Sequence, residues 1–257
     1  MILRDEKYAV FLDIDGTVMG RNMEALRRNL DVIQKVRSLG HKVYINTGRS
    51  TAYLPKEIDT NKFFDGVISG AGARIIMDGE EVFFRPMDIE TVKAFCVYCE
   101  NIENVSILEG VDDMYFVGPQ KELDYTWDCI FAENMSDYVN ENLKIEKFTV
   151  LGTAPGKLKE VLGEEYVIIQ HQIYAEIIRK GVTKSGAMKF VLDKLGLPVE
   201  QSIAMGDSLN DFDMIEAAGI GVAMGNAIEE IKEISTMTTN HVDKAGVAEA
   251  LIKLFSL

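Results

Sequence analysis

The stretch Tyr8-Ala9-Val10-Phe11-Leu12-Asp13-Ile14-Asp15-Gly16-Thr17 constrains this chain more than any other. Its five opening residues, apolar and rich in β-formers, read as a strand buried on both faces, the kind found inside a parallel sheet. Two carboxylates and a Gly-Thr come where such a strand ends. Open α/β sheets bind their ligands beyond the carboxyl ends of their strands. Asp13 and Asp15, two residues apart in extended chain, would point to the same side of that crevice. A strand ending in a plain Asp-Gly turn would look the same over this stretch alone. The rest of the chain separates the two readings.

Met23 to Leu39 carries apolar residues at Ala25, Leu26, Leu30, Ile33, Val36 and Leu39, the spacing of an amphipathic helix closed by Gly40. Lys42–Asn46 reads as a second strand, again followed by a small polar residue and a glycine in Thr47-Gly48-Arg49. Strand, helix, strand in this order makes a right-handed crossover. Pro55 to Asn61 reads as helical or irregular, and Gly66-Val67-Ile68 as a third strand leading to Ser69-Gly70-Ala71-Gly72. The rhythm then changes. Arg74–Met77 and Glu81–Phe84 flank Asp78-Gly79 as a hairpin.

From about Pro86 to Lys180, strands are expected at Val105–Leu108, Met114–Val117, Lys147–Leu151, Tyr166–Gln170 and Tyr174–Ile178. Asp88 is expected to N-cap a helix through Glu100, and Lys157–Leu162 to form a short one. Crossovers return after Gly181, with a helix over Lys184–Leu195, a strand over Ser202–Met205 and a helix through Ala217. The strand Ile220–Ala223 and helices over Ile228–Ile234 and Val247–Leu254 close the chain. The expected fold is α/β. Residues 1–84 and 181–257 form a Rossmann-like, doubly wound parallel-sheet core, split by an α+β module at 85–180.

Composition narrows the function. The net charge of −14 argues against a general electrostatic grip on nucleic acid or an anionic membrane. No apolar run approaches the roughly 18 residues of a spanning helix. Residues Met1–Lys7 lack a signal peptide's long apolar region, so a cytoplasmic location is expected. Three cysteines, Cys96, Cys99 and Cys129, are an odd count without a secretion signal and read as free thiols. Cys96 and Cys99 have CxxC spacing, but no second pair accompanies them, and core packing is the better reading.

Four polar clusters fall where parallel strands should end: Asp13 with Asp15, Thr47, Asp207 with Asn210 and Asp211, and Asn226. Lys184 heads the helix after the insert. A carboxylate pair with a third strand-end aspartate suits a hard divalent cation; Mg²⁺ takes oxygen ligands and keeps several waters. His41, His171 and His241 are isolated in sequence and read as structural or surface residues. Each site residue also has a plainer reading. Lys184 alone would be a solvated residue of a first helical turn, Thr47-Gly48 a turn, and Asp207 and Asn226 caps. Arg49 reads equally as a surface ion-pair partner or a substrate contact.

Taken in order, Asp13-Ile14-Asp15-Gly16-Thr17, Asn46-Thr47-Gly48-Arg49, Lys180-Gly181-Val182-Thr183-Lys184 and Gly206-Asp207-Ser208-Leu209-Asn210-Asp211 strongly resemble the haloacid dehalogenase superfamily of phosphohydrolases. Ser69-Gly70-Ala71, Met224-Gly225-Asn226-Ala227 and Asp243-Lys244-Ala245-Gly246-Val247 look like its Cof-type branch, which carries a large α/β cap. The resemblance implies a Mg²⁺-dependent phosphomonoesterase with Asp13 as nucleophile, forming an aspartyl-phosphate, and Asp15 as general acid and base. It implies a metal held by Asp13, the Asp15 backbone carbonyl and Asp207, and phosphate bound by Thr47, Gly48, Lys184 and Asn210. Asp211 would orient water or Lys184, and Asn226 would help with positioning.

The insert carries little of the resemblance. It is expected to close over the site and choose the substrate. Glu109, Asp112, Asp113, Tyr115, Tyr125, Trp127, His171 and Tyr174 are its polar and aromatic candidates. The expected partner is a small phosphorylated metabolite: a sugar phosphate first, then a phosphorylated cofactor or a nucleotide. Two other readings remain open. A phosphotransferase or sugar-phosphate mutase would use the same nucleophile, and a non-catalytic phosphate sensor would tend to have lost Asp13 or Asp15.

Overall fold

Ala9–Leu12 (β1) is buried along its whole length, as its unbroken apolar run requires, and a sheet extends from it in both directions. The computed structural model describes residues 6–118, 129–131 and 134–257, so Tyr125 and Trp127 lie outside the described residues. Contacts divide the chain into two units. One comprises Met1–Gly48, Lys56–Phe83 and Thr183–Leu257; the other comprises Arg49–Pro55 and Phe84–Val182.

After β1 come Met23–Ser38 (α1), Lys42–Asn46 (β2), Thr60–Phe63 (α2), Gly66–Ser69 (β3), Arg74–Met77 (β4) and Glu80–Phe84 (β5). The second unit holds Ile89–Cys99 (α3), Ser106–Gly110 (β6), Met114–Val117 (β7), Cys129–Phe131 (β8) and Met135–Tyr138 (α4). It continues with Ile145–Leu151 (β9), Leu158–Leu162 (α5), Tyr166–Gln170 (β10) and Tyr174–Arg179 (β11). Lys184–Leu195 (α6), Ser202–Gly206 (β12), Phe212–Ala217 (α7), Ile220–Ala223 (β13), Glu229–Ile234 (α8), Met237–Thr238 (β14) and Gly246–Phe255 (α9) complete the first unit.

The first unit's sheet has the order β14-β13-β12-β1-β2-β3-β4-β5, parallel from β14 to β3 and antiparallel between β3 and β4. From β1 the chain winds through β2 and β3 to one side; after the insert it winds through β12, β13 and β14 to the other. The winding reverses between β1 and β12, and a crevice opens at such a reversal. α1 covers the sheet through Leu26, Leu30, Ile33 and Val36, and packs against α9. Its first turn is capped by the Asn22 side chain, which accepts from the Glu24 and Ala25 amides. It ends at Gly40, whose φ of +84° suits the left-handed turn that follows a helix.

The second unit's sheet has the order β10-β11-β9-β6-β7-β8, antiparallel except between β7 and β8. Side-chain alternation sends Leu108, Phe148, Val150 and Ile177 toward α3, α4 and α5, where Phe95 stacks on Phe148 at 4.1 Å between ring centroids. Ile107, Met114 and Phe116 face the other way and meet Ala52 and Tyr53. Those contacts, with the Thr51 bonds to Glu146, place Arg49–Pro55 in this unit. Cys96 and Cys99 are fully buried in the helix-side core, and burial pushes each thiol up to about 12. Thiols so placed are packing residues at neutral pH. Among the described residues, no helix is long and apolar enough to cross a membrane.

Three short elements depart from the sequence reading: β8, α4 and the two-residue β14 have no periodicity long enough to register. Asp88 precedes α3, but its carboxylate does not cap the helix. It accepts instead from the Tyr166 hydroxyl at 2.9 Å and from Arg179 at 2.9 Å, tying the entry of the insert to its exit.

Asp65, at the mouth of β3, joins three elements of the first unit. It takes two bonds from Arg37 at the end of α1, one from Lys42 and one from the Val43 amide in β2. Burial alone would raise its pKa; the hydrogen bond from Arg37 and those from Val43 and Lys42 outweigh this and lower it. Replacing Asp65 by Ala is expected to cost about 1–3 kcal/mol, because the buried Val43 amide and the partly exposed Arg37 and Lys42 lose a charged acceptor. Since the folded carboxyl has the lower pKa, the wild-type advantage is full above the unfolded value near 4 and fades as pH falls through the folded one. Urea titrations of both proteins at neutral and acid pH measure it; an equal difference at both would refute the ion-pair account.

Candidate active site

Asp13 is the residue after β1, buried to 3% exposure, with its amide donating to the Met205 carbonyl of β12 at 3.1 Å. The chain then turns sharply: the Gly16 and Met19 backbones pair, and Met19 N–H donates to Ile14 O at 2.9 Å. This turn puts the Asp15 side chain at the surface while Asp13 points inward. Gly16 makes the turn possible. Its φ is +75°, and a Cβ there would lie 2.2 Å from Asp207 Oδ2.

Lys184, the first residue of α6, reaches into the crevice and is 2% exposed. Its Nζ donates to Asp13 Oδ1 at 2.7 Å and to Asp211 Oδ1 at 2.6 Å. Thr183 caps the helix by accepting from the Gly186 amide, and Asn46 Nδ2 at the end of β2 donates to the Lys184 carbonyl at 3.0 Å. Lys184 is thus fixed at backbone and ammonium alike. Asp211 is fully buried; its second oxygen accepts from the Asp207 and Ser208 amides at 3.0 and 3.2 Å. Three accepted bonds on this one carboxylate hold the loop and the lysine.

Asp207 follows β12, across the sheet reversal from Asp13. Asn226 Nδ2 donates to its Oδ2 at 3.1 Å and to the Gly16 carbonyl at 2.8 Å, while Asn226 Oδ1 accepts from the Val242 amide. Asp207 Oδ1 is buried and has no hydrogen-bond partner. One carboxylate oxygen each from Asp13, Asp207 and Asp211 lie within 4.8 Å of one another. Three carboxylates against one ammonium leave the cluster short of positive charge. Burial pushes the Asp13 carboxyl up to about 7, with Lys184 opposing and Asp211 and Asp15 adding to it. Burial and Asp211 push Asp207 up to about 6. Burial works against the Lys184 ammonium, but its two carboxylates outweigh that, and its pKa is raised. An unpartnered buried carboxylate oxygen in such a cluster is the donor set a hard divalent cation takes.

Thr47 is buried just beyond β2, its amide on Ile68 O and its carbonyl accepting from the Ala71 amide; Gly48 beside it is half-buried. Asn210 is exposed and accepts from the Ser208 hydroxyl at 2.8 Å, outside the lysine-centred network. Arg49 belongs to the second unit, where it donates to the Tyr53 carbonyl and lies over the Tyr53 ring.

In the second unit, Asp112 and Asp113 are exposed, whereas Tyr115 is buried in the helix-side core, with burial raising its pKa to about 12. Glu109 accepts from Thr149 at 2.6 Å, and His171 Nε2 meets Glu176 Oε2 at 3.1 Å while its ring stacks on Tyr174. The residue that organises this group, Lys147, lies between Glu109 and Glu176 and escaped sequence reading. Burial alone would raise the Glu176 pKa; Lys147 outweighs it and lowers it. The signal was available in Lys147-Phe148-Thr149-Val150, where polar residues alternate with core residues.

A sequence profile for haloacid dehalogenase-like hydrolases matches residues 10–251. The 5-amino-6-(5-phospho-D-ribitylamino)uracil phosphatase YitU of Bacillus subtilis is 30% identical over 276 residues, 99% of this chain and all of that protein. A solved haloacid dehalogenase-like hydrolase from Bacteroides thetaiotaomicron aligns over 97% of this chain and 100% of its own, with TM-score 0.82 and 25% identity. A sugar phosphatase of subclass IIB aligns over 96% of this chain and 98% of its own, with TM-score 0.78 and 26% identity. The chain belongs to the haloacid dehalogenase-like hydrolases and is a phosphatase-type enzyme of that superfamily.

Because Asp211 holds Lys184 and two backbone amides at once, Asp211→Ala is expected to destabilise the protein by about 3–5 kcal/mol, the cost of breaking a buried ion pair from one side. Denaturant unfolding measures this; a loss under about 1 kcal/mol would show that water replaces the carboxylate without penalty.

Proposed function

We propose that this enzyme is a Mg²⁺-dependent phosphomonoesterase that works through an aspartyl-phosphate on Asp13. The observation that carries the reading is the Asp13–Lys184–Asp211 ion triad beside Asp207, whose buried Oδ1 lacks a partner. Lys184 fixes the rotamer of Asp13 and opposes the loss of its charge that burial favours. The carboxylate attacks phosphorus, and the bond between phosphorus and the ester oxygen breaks. Asp15, at the surface of the same loop, gives its proton to the leaving oxygen. It then takes a proton from the water that attacks the acyl phosphate, which restores Asp13 and releases inorganic phosphate.

Thr47, Gly48 and Lys184 are the donors assigned to the transferring phosphoryl group, with Asn210, whose Oδ1 accepts from Ser208, as a fourth through its Nδ2. Asp13, Asp207 and the Asp15 carbonyl would hold the divalent cation, which supplies positive charge against the phosphate oxygens when bound. Asp211 orients Lys184, and Asn226 orients Asp207.

The substrate assigned is a small soluble phosphate on a polyhydroxylated carbon chain. Support comes from relatives named for a phosphoribityl compound and for sugar phosphates. Selection of the leaving group is assigned to the inserted unit, which would act as the cap. A cytosolic location belongs to the same reading and accords with the unpaired thiols of Cys96 and Cys99.

The test is phosphate release from a panel of sugar phosphates, phosphorylated cofactors and nucleotides, with Mg²⁺ or chelator, for wild type and Asp13→Asn. Release that needs Mg²⁺ and falls by at least about 10³-fold in the folded variant is expected, since a nucleophile that acts with its partners as a unit takes most of the rate with it. Full turnover in Asp13→Asn would remove it as nucleophile. Substrate consumed without free phosphate, with the phosphoryl group on an organic acceptor, would make the enzyme a transferase.

A further inference from the structure

The proposed mechanism leaves Asp243-Lys244-Ala245-Gly246-Val247 without a task, yet this segment holds the loop that carries Asp15. The loop leaves β1 and runs from Asp15 to Asn22; bonds among residues 13–19 close its first turn, and Asn226, which accepts from the Val242 amide, donates to the Gly16 carbonyl. Asp243 Oδ1 accepts from the Arg21 amide at 2.7 Å and the Asn22 amide at 3.0 Å. Asn22 returns the contact, its Nδ2 donating to the Asp243 carbonyl at 3.0 Å, while its Oδ1 caps α1.

A second clamp lies deeper. Asn29 of α1 is completely buried; its Nδ2 donates to the Val18 carbonyl at 3.0 Å, and its Oδ1 accepts from the Ala248 amide at 2.9 Å. Bonds at both ends offset the cost of burying this amide completely, and they join the loop to α9. Gly20 sits against the outer clamp so closely that a Cβ would lie 2.5 Å from Asp243 Oδ1.

We infer that Asp243, backed by Asn29, is a positioning residue for Asp15: the segment 242–248 sets where the proton-transferring carboxylate stands. The inference rests on the reading of Asp15 as general acid and base. The Asp15 carboxylate is carried by the backbone of this loop, so holding that backbone helps to locate it. A carboxylate bonded to two amides does this strongly, because charge-assisted hydrogen bonds are about twice as strong as neutral ones. Proton transfer is sensitive to such placement, and a shift of about 1 Å costs on the order of a hundredfold.

The experiment compares two esters of similar shape, phenyl phosphate and para-nitrophenyl phosphate. Phenolate is a basic leaving group that needs the proton, whereas para-nitrophenolate leaves with little help. The ratio kcat/KM reports only steps up to departure of that group. In Asp243→Ala, kcat/KM for phenyl phosphate is expected to fall about ten- to hundredfold, and to fall much less for para-nitrophenyl phosphate. Asp243→Asn, which keeps Oδ1 as an acceptor, should recover most of the loss. Gly20→Ala, which pushes the same clamp apart while leaving Asp243 in place, should show the same selective loss and serves if Asp243→Ala does not fold.

An equal fall on both esters would mean that the clamp only supports the fold, and wild-type rates on both would overturn the inference outright. Asp15→Asn runs beside them. If it keeps wild-type rates, the acid–base reading itself has failed. If it loses the phenyl ester selectively while Asp243→Ala does not, only the positioning role has failed.

Discussion

The first unit depends on one buried ammonium. Lys184 is withdrawn from water at 1% side-chain exposure, and its charge is tolerable only because Asp13 and Asp211 both accept from it. Removing an ion from water costs several kcal/mol, repaid when geometry and hydrogen bonding are complete. Completion here requires three separate pieces of chain to arrive together: the end of β1, the first turn of α6 and the loop after β12. The sheet order supplies that meeting, since β1 and β12 are neighbours at the reversal and α6 leads into β12. The lysine therefore ties the stability of the unit to the geometry of its site.

The second unit contains the same device in another setting. Lys147 lies between Glu109 and Glu176 on a sheet face, both carboxylates being supplied by neighbouring strands. There each carboxylate has a further hydrogen-bond partner: Glu176 Oε2 meets His171, and Thr149 donates to the same Glu109 Oε1 that faces Lys147. In the first unit Asp207 is left over, with an oxygen buried and unpartnered. The two clusters thus differ in one respect: only the first leaves a buried carboxylate oxygen among the described residues without a hydrogen-bond partner.

Most of the first unit was legible because its periodicities are long and its punctuation is strong. β2, β4, β13 and α6 have the bounds expected from apolar pattern and terminal glycines, and Asp13, Lys184, Asp207 and Asp211 were singled out from their places at strand and helix ends. Less was legible where a residue's partner is distant. Asp88 looks like a cap from its neighbours, but its carboxylate is claimed by Tyr166 and Arg179, far along the chain. Asn29 carries no signal in the sequence; its partners, the Val18 carbonyl and the Ala248 amide, lie on other elements. Tyr115 carries a hydroxyl that suggests a site, while strand alternation sends it into the core. Pattern reports which side of an element is buried; it does not report what waits there.

The Lys184–Asp13 bond spans 171 positions, and the whole inserted unit lies within that loop. During synthesis, β1 therefore emerges long before the strand and lysine that flank it. A chain of this size grows at roughly 5–20 residues per second, so β1 waits for many seconds with one edge unpaired. The inserted unit is continuous apart from a short outlying segment, and can assemble while the rest is still being made. Closing so long a loop adds only slowly growing entropy, yet it delays the reward of the contacts it makes. The Asp13 carboxylate is thus made 171 positions before the ammonium that becomes its counter-ion, and the ion pair at the sheet reversal forms only after the inserted unit has been synthesised.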